Sequence, residues 1–286
     1  MVENEPLAPK TAFKTGGAAA IFLQPGNLPE LELALKTLAR LELEFMVLGG
    51  GSNLLIADSG IQDRAVISLD RGFQDYKIVG SDNDSVMIQA GSAVRLATLI
   101  RLSMIGGYCG LESLAGIPGT LGGALAMNAG AYGATIYDFV SAVSVWCGTE
   151  LVWLPRSELN PAYRNGGLAD KDIVVTVWFH LPRIDSGKVA EKVFDIKRKR
   201  RQRLPPGRHA GSVFKNPDGD YAARLLDKAG CKGLSCGGAQ VSAQHANVIV
   251  AGKDTNSKDI KDLIVKMRNR VKQHFGVVLE LEVRIC

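Results

Sequence analysis

Histidine and aromatic residues are scarce in this chain, and their scarcity removes several functions at once. The 286 residues include four histidines, and aromatic side chains make up 6%. No two histidines stand at a metal-binding spacing, and neither a second cysteine pair nor a His-x-x-x-His follows Cys231 and Cys236, so no metal site is expected. The five cysteines (Cys109, Cys147, Cys231, Cys236 and Cys286) are odd in number and irregularly spaced. That argues against a disulfide framework and suits free thiols in a reducing compartment. The basic run at residues 197–203 lacks the interleaved aromatics of a single-strand platform, and no helix-turn-helix or finger signature is present, so no nucleic-acid partner is expected. The acidic start, Met-Val-Glu-Asn-Glu-Pro, has no apolar run and does not read as a signal peptide. One uncharged stretch, residues 113–137, is long enough to span a bilayer, but Pro118, Asn128 and six glycines interrupt it. A ligand loop fits that composition better than a membrane helix, and a cytoplasmic location without membrane partner is expected.

What remains is a globular composition: 46% hydrophobic, 22% charged, net charge +5. A mild positive excess suits anionic small molecules without demanding them. Glycine is abundant, at 32 residues, and it clusters, which marks backbone that turns tightly or lies against something.

Apolar periodicity predicts helices over residues 28–41, 93–105, 221–229 and 257–275. Strands are expected at 45–48, 54–56, 65–69, 140–146, 150–154, 173–181, 248–250 and 277–285, with a hairpin of 77–79 and 85–90 around Asp82-Asn83-Asp84. Ser186 is expected to cap a helix that runs to the basic cluster and stops at Pro205-Pro206-Gly207. Composition shifts near residue 183. Mixed strands and segregated helices give an α+β fold, divided at 1–183 (subdomains about 1–70 and 71–183) and 184–286.

Chemistry is written in four places. Gly49-Gly50-Gly51-Ser52-Asn53 follows a buried strand and could aim consecutive amides at a pyrophosphate. It precedes a strand, so it is not a dinucleotide fingerprint, and it has no P-loop lysine; alone it equally suits a plain turn. Gly116-Ile117-Pro118-Gly119-Thr120-Leu121-Gly122-Gly123, then Met127-Asn128-Ala129-Gly130-Ala131-Tyr132-Gly133, form a second glycine-rich region. Two such loops suggest a large flat ligand with a diphosphate, against the alternative of tight small-residue packing. Gly211-Ser212-Val213-Phe214-Lys215-Asn216-Pro217 offers a positioned hydroxyl, though in isolation it reads as a turn or cap. Finally come Tyr163-Arg164 and Leu279-Glu280-Leu281-Glu282-Val283-Arg284; strand alternation puts Glu280, Glu282 and Arg284 on one face.

Taken in order with His245-Ala246-Asn247, these motifs resemble the UDP-N-acetylenolpyruvoylglucosamine reductase family, flavoenzymes of bacterial cell-wall precursor synthesis. The resemblance runs from about Leu7 to Ile285. It implies a two-lobed FAD-binding unit of the vanillyl-alcohol-oxidase type over residues 1–183, then a C-terminal α+β substrate-binding domain over 184–286. It implies non-covalent FAD held by Gly49, Gly50, Gly51, Ser52, Asn53, Gly116, Ile117, Pro118, Gly119, Thr120, Gly122 and Gly123, with Asn128, Gly130, Tyr132 and Gly133 beside it. It implies NADPH as hydride donor and a nucleotide-sugar substrate. The catalytic trio would be Ser212, Arg164 and Glu282. Tyr163, Arg203, Lys215, Asn216 and His245 would contact substrate, while His180, His209 and His274 are expected to be surface or satisfied residues. An ionised Glu282 would repel the anion that forms, so it is expected to carry or share a proton, with raised pKa, when substrate is bound.

The chain departs from the family pattern in two places. Asn165-Gly166 replaces the usual Asp-Ser after Tyr-Arg, so something else must hold Arg164. Val248 and Ala251 stand where an aromatic and an asparagine are usual. The chain also resembles the subclass that lacks an extra tyrosine-bearing loop. Another flavin oxidoreductase of the superfamily, or a non-catalytic flavin-binding relative, remains the alternative.

Overall fold

The computed structural model describes the whole chain, Met1–Cys286. In chain order, β1 (Val2–Pro6) and β2 (Ala18–Leu23) lead through α1 (Leu28–Arg40) to β3 (Phe45–Val47), β4 (Leu54–Leu55) and β5 (Ile61–Ile67). The hairpin β6 (Tyr76–Ser81) and β7 (Ser85–Gly91) precedes α2 (Leu96–Gly106) and α3 (Leu121–Ala126). After the small hairpin β8 (Gly130–Ala131) and β9 (Ala134–Thr135) come β10 (Val140–Cys147), β11 (Glu150–Pro155) and β12 (Ile173–Pro182). The remainder is α4 (Ser186–Arg203), α5 (Ala222–Lys228), β13 (Ser235–Cys236), β14 (Ala239–Val241), β15 (Ile249–Ala251), α6 (Ser257–Phe275) and β16 (Arg284–Ile285). Helices and largely antiparallel strands make the fold α+β, as expected.

The chain folds into two compact units. Unit 1 comprises residues 1–2, 22–50 and 63–199; unit 2 comprises residues 3–21, 51–62 and 200–286. In unit 1 the antiparallel sheet β11-β10-β12-β7-β6 is covered on one face by α2 and the segments that follow it. The alternation that buries Val86, Ile88 and Ala90 of β7 beside Val177, Phe179 and Leu181 of β12 packs Leu96, Leu99 and Leu121 against that face. In unit 2, α5 and α6 pack with the sheet β13-β14-β15, and Leu225, Ile260, Leu263, Met267 and Val271 are wholly shielded with Leu55, Val213 and Phe214.

Two local expectations change. Ser186 opens α4 but does not cap it: the carboxylate of Asp185 accepts from the Lys188 amide at 3.1 Å, the acceptor geometry of an N-cap. Residues 277–285 do not form one strand. Leu279 and Val283 face inward as alternation requires, but the segment changes partner. Lys215 N–H donates to the Glu280 carbonyl at 2.9 Å and Glu282 N–H to the Val213 carbonyl at 2.8 Å, either side of the Phe214–Leu281 bridge. Arg284 N–H then donates to the Asn53 carbonyl at 3.0 Å, and β16 pairs parallel with β4. That exchange interrupts the ladder, so only Arg284–Ile285 is strand.

Candidate active site

In unit 1 the two glycine-rich loops meet. A Cβ on Gly50 would lie 2.7 Å from the Gly119 Cα, and one on Gly49 would lie 2.7 Å from the Thr120 hydroxyl. Only bare backbone permits that approach. Leu96 N–H donates to the Gly119 carbonyl at 3.1 Å, and Leu121 and Gly122 N–H groups donate to the Val94 and Ser92 carbonyls at 2.8 and 2.7 Å. These bonds pin the second loop to the start of α2. The amides of Gly49, Gly50 and Gly119 take no part in the backbone hydrogen bonds of these turns. A paired glycine cradle with amides to spare fits the diphosphate of a flavin dinucleotide. Arg95, held 3.5 Å from Asp70, stands at this junction. Arg95 falls inside the helix expected over residues 93–105, and nothing in the sequence gave it a role in the site.

Asn128 and Tyr132, in the next loop, adopt positive φ of 42° and 53°. Asn128 is buried, and its amide donates to the Ala162 carbonyl at 2.9 Å. That bond carries the tight Tyr163-Arg164 turn, closed by paired Ala162–Asn165 backbone bonds of 2.8 and 3.1 Å. Arg164 sits at the turn with φ 55°, a strained value for a side chain of that size. Its guanidinium donates to the Gly130 carbonyl at 3.3 Å and lies 5.2 Å from the Tyr163 ring centre. The Asn165-Gly166 departure therefore has a structural answer. Asn165 Oδ1 accepts from the Gly167 amide at 2.8 Å, and Gly166 lies flat on the end of α3, its amide 3.1 Å from the Ala126 carbonyl.

In unit 2, the serine motif and the C-terminal carboxylate are neighbours despite their separation in sequence, because the Val213 carbonyl accepts from the Glu282 amide. The Asn53 side chain donates to the Glu282 carbonyl at 2.8 Å, so one member of the first glycine motif is spent on placing Glu282. Ser212 and Glu282 are both partly exposed.

The His-Ala-Asn motif contributes a residue that the sequence did not single out. Asn247, 2% exposed, accepts the Phe214 amide at 2.9 Å and donates to the Phe214 carbonyl at 2.8 Å, while its own carbonyl takes the Val213 amide at 2.9 Å. The signal was its place within the His-Ala-Asn motif; what hid it is that asparagine side chains are usually exposed. His245 is half-buried, its Nδ1 accepting from the Asn247 amide at 3.3 Å. Burial, aided by Lys232 and Arg203, pushes it below the usual imidazole range. Gln244 donates to the Gln202 carbonyl at 2.8 Å, which ties this loop to the end of α4, where Arg203 is exposed. Lys215 lies 3.5 Å from Glu280, and Asn216 Oδ1 accepts the Ala222 amide at 3.1 Å at the start of α5. No group of three or more His, Cys, Asp or Glu side chains could hold a metal ion, and no helix is long and apolar enough to cross a membrane.

The profile of an FAD binding domain matches residues 19–153, and with the reductase relatives that follow it makes the chain an FAD-dependent oxidoreductase. The profile of the C-terminal domain of UDP-N-acetylenolpyruvoylglucosamine reductase matches residues 202–286. Reductases of that name from Acidiphilium cryptum and Geobacter metallireducens are 38% and 37% identical, over 98% and 100% of this chain and 89% and 93% of theirs. The crystal structure of the Thermus caldophilus enzyme superposes with a TM-score of 0.85 at 32% identity, covering 100% of this chain and 98% of that one. The chain belongs to the UDP-N-acetylenolpyruvoylglucosamine reductase family.

Proposed function

We propose that this chain reduces UDP-N-acetylglucosamine enolpyruvate to UDP-N-acetylmuramate with NADPH, in the cytoplasm, as a step of peptidoglycan precursor synthesis. Residues 1–183 hold FAD and residues 184–286 supply the substrate-binding domain. FAD, held by the Gly49–Asn53 and Gly116–Gly123 loops, would supply the two-electron transfer between NADPH and the enolpyruvyl double bond. Negative charge then gathers on the carboxylate-bearing carbon and its carboxylate. The Arg164 guanidinium meets that charge, and its strained, hydrogen-bonded turn keeps it from relaxing elsewhere. Ser212 gives its hydroxyl proton to the carbanionic carbon. Glu282 carries or shares a proton while substrate is bound, because an ionised carboxylate there would oppose the same charge. Tyr163, Lys215, Asn216 and His245 line the substrate, and Arg203 meets its diphosphate.

The observation that carries this reading is the Val213–Glu282 hydrogen bond, which sets the serine and carboxylate segments side by side within one unit. The test is stopped-flow comparison of the unmodified enzyme with Ser212→Ala. Flavin reduction by NADPH persists, whereas reoxidation by the enolpyruvyl nucleotide-sugar slows about 100-fold or more. Reoxidation at the unmodified rate would overturn the role of Ser212.

A further inference from the structure

Ser212 lies between two amides, and each is tied to an imidazole. On its C-terminal side, the Val213 amide is held by the Asn247 carbonyl at 2.9 Å, and the Asn247 amide in turn donates to His245 Nδ1. On its N-terminal side, the Gly211 amide donates directly to His209 Nδ1 at 3.1 Å. Gly211 itself has no side chain packed against its surroundings. Its φ is +76°, and a Cβ placed there would meet nothing within 4 Å. Between the buried Ala210 and Val213, its amide is anchored by the hydrogen bond to His209.

We infer that His209 is a positioning residue for Ser212: its unprotonated Nδ1 fixes the Gly211 amide, and with it the direction of the serine hydroxyl, so that protonating the ring releases the serine from its productive geometry. The inference rests on the reading of Ser212 as proton donor.

The surroundings favour the neutral ring. His209 is half-buried, and burial pushes it below the usual imidazole range; the Pro205 carbonyl opposes this as a hydrogen-bond partner, and the Arg200 guanidinium reinforces it. His245 feels the charge of His209 and also faces Lys232 and Arg203. The charged groups acting on the two rings from α4 and from the neighbouring loop are thus all cationic, and none would hold a proton on them. A neutral imidazole accepts at Nδ1; an imidazolium cannot.

A hydroxyl displaced by even a fraction of an ångström transfers its proton poorly. The reductive half-reaction does not use Ser212, so it is insensitive to His209.

The experiment is single-turnover reoxidation of prereduced holoenzyme by the enolpyruvyl nucleotide-sugar between pH 5 and 8, for the unmodified enzyme, His209→Asn, His209→Phe and Ser212→Ala. The carboxamide oxygen of asparagine can take the place of Nδ1 and does not titrate. In the unmodified enzyme the rate falls with pH below the ordinary imidazole range of about 6.5. His209→Asn stays within about threefold of the unmodified rate at neutral pH, and its acid limb moves to lower pH, leaving the His245 contribution. His209→Phe is about tenfold slower or worse at neutral pH. Flavin reduction by NADPH is unchanged in both. An acid limb in His209→Asn that coincides with the unmodified enzyme's overturns the inference, even if His209→Phe fails to fold. Should Ser212→Ala reoxidise normally, the proton-donor reading itself falls. Should Ser212→Ala collapse while both His209 variants match the unmodified enzyme, only the positioning role falls.

Discussion

The carboxamide of Asn247 grips both polar backbone groups of Phe214, accepting its amide at 2.9 Å and donating to its carbonyl at 2.8 Å. Both residues are almost wholly buried, so this side chain substitutes for a strand partner two residues beyond Ser212. Asn247→Ala leaves a buried amide and carbonyl unpaired and is expected to cost about 2–4 kcal/mol. Urea denaturation followed by circular dichroism measures it. A loss below about 0.5 kcal/mol would mean that water replaces the carboxamide without penalty. At temperatures where the variant is folded, substrate-driven flavin reoxidation should slow while reduction by NADPH continues.

Periodic elements were legible from the chain itself. The helices at Leu28–Arg40 and Ser257–Phe275 and the strands of the five-stranded sheet fall within a few residues of their expected places, because burial on one face imposes 3.6- or 2-residue repeats. The site was legible only in part. Local spacing shows a glycine run, but not that Gly50 touches Gly119. Strand alternation matches the inward Leu279 and Val283, yet it could not show the exchange of partners that ends the ladder at Arg284. Asp185 displaced Ser186 as the cap of α4 because either residue suits that position and one residue of register decides. Asn247 accepts a backbone amide 33 residues away and His209 one only two residues on, and no composition rule marks such an acceptor.

The contact between Gly50 and Gly119 makes a sharp prediction for cofactor binding. Gly50→Ala places a methyl 2.7 Å from the Gly119 Cα and 3.1 Å from the Arg95 guanidinium. The loops must separate by several tenths of an ångström, and amides that would converge on a diphosphate are pulled apart. The purified variant is expected to be colourless or to bind FAD at least about tenfold more weakly, as flavin fluorescence titration will show. Gly80→Ala, on an exposed strand where the new methyl is 3.7 Å from Met87, is the matched control and should stay yellow. A yellow Gly50→Ala with unmodified affinity would show that the cradle lies elsewhere.

Gly166 tests how Arg164 is held. The usual family residue at this place is serine, but a Cβ here would lie 2.2 Å from the Leu125 carbonyl oxygen. Gly166→Ser should therefore lift the Tyr163-Arg164 turn from α3 and weaken the Asn128–Ala162 and Arg164–Gly130 hydrogen bonds. Reoxidation by substrate is expected to slow about tenfold or more, with flavin reduction little changed. Stopped-flow absorbance separates the two steps. Unaltered reoxidation would mean that this turn tolerates displacement and that Arg164 is placed by other contacts.

Asp58 gives unit 2 an acid-sensitive strut. Its carboxylate accepts the Ser257 amide at 2.8 and 3.1 Å and the Lys258 amide at 3.3 Å, while Asn256 takes the Asp259 amide at 2.8 Å. The first three amides of α6 are thereby satisfied, two of them by a residue from the far end of the sequence. Partial burial pushes the Asp58 carboxyl up, but the Ser257 amide and hydroxyl, the Lys258 amide and the Lys261 charge outweigh it and hold the group below its ordinary value. A lowered folded-state pKa stabilises the fold above the unfolded value of about 3.9, and that stabilisation disappears as pH falls through the folded value. Asp58→Ala should therefore cost about 1 kcal/mol at pH 7, and the gap between variant and unmodified protein should close below about pH 3. Paired urea titrations at pH 7, 5 and 3 follow it. A gap of the same size at pH 3 and pH 7 would show that the side chain acts by packing and not as a charged cap.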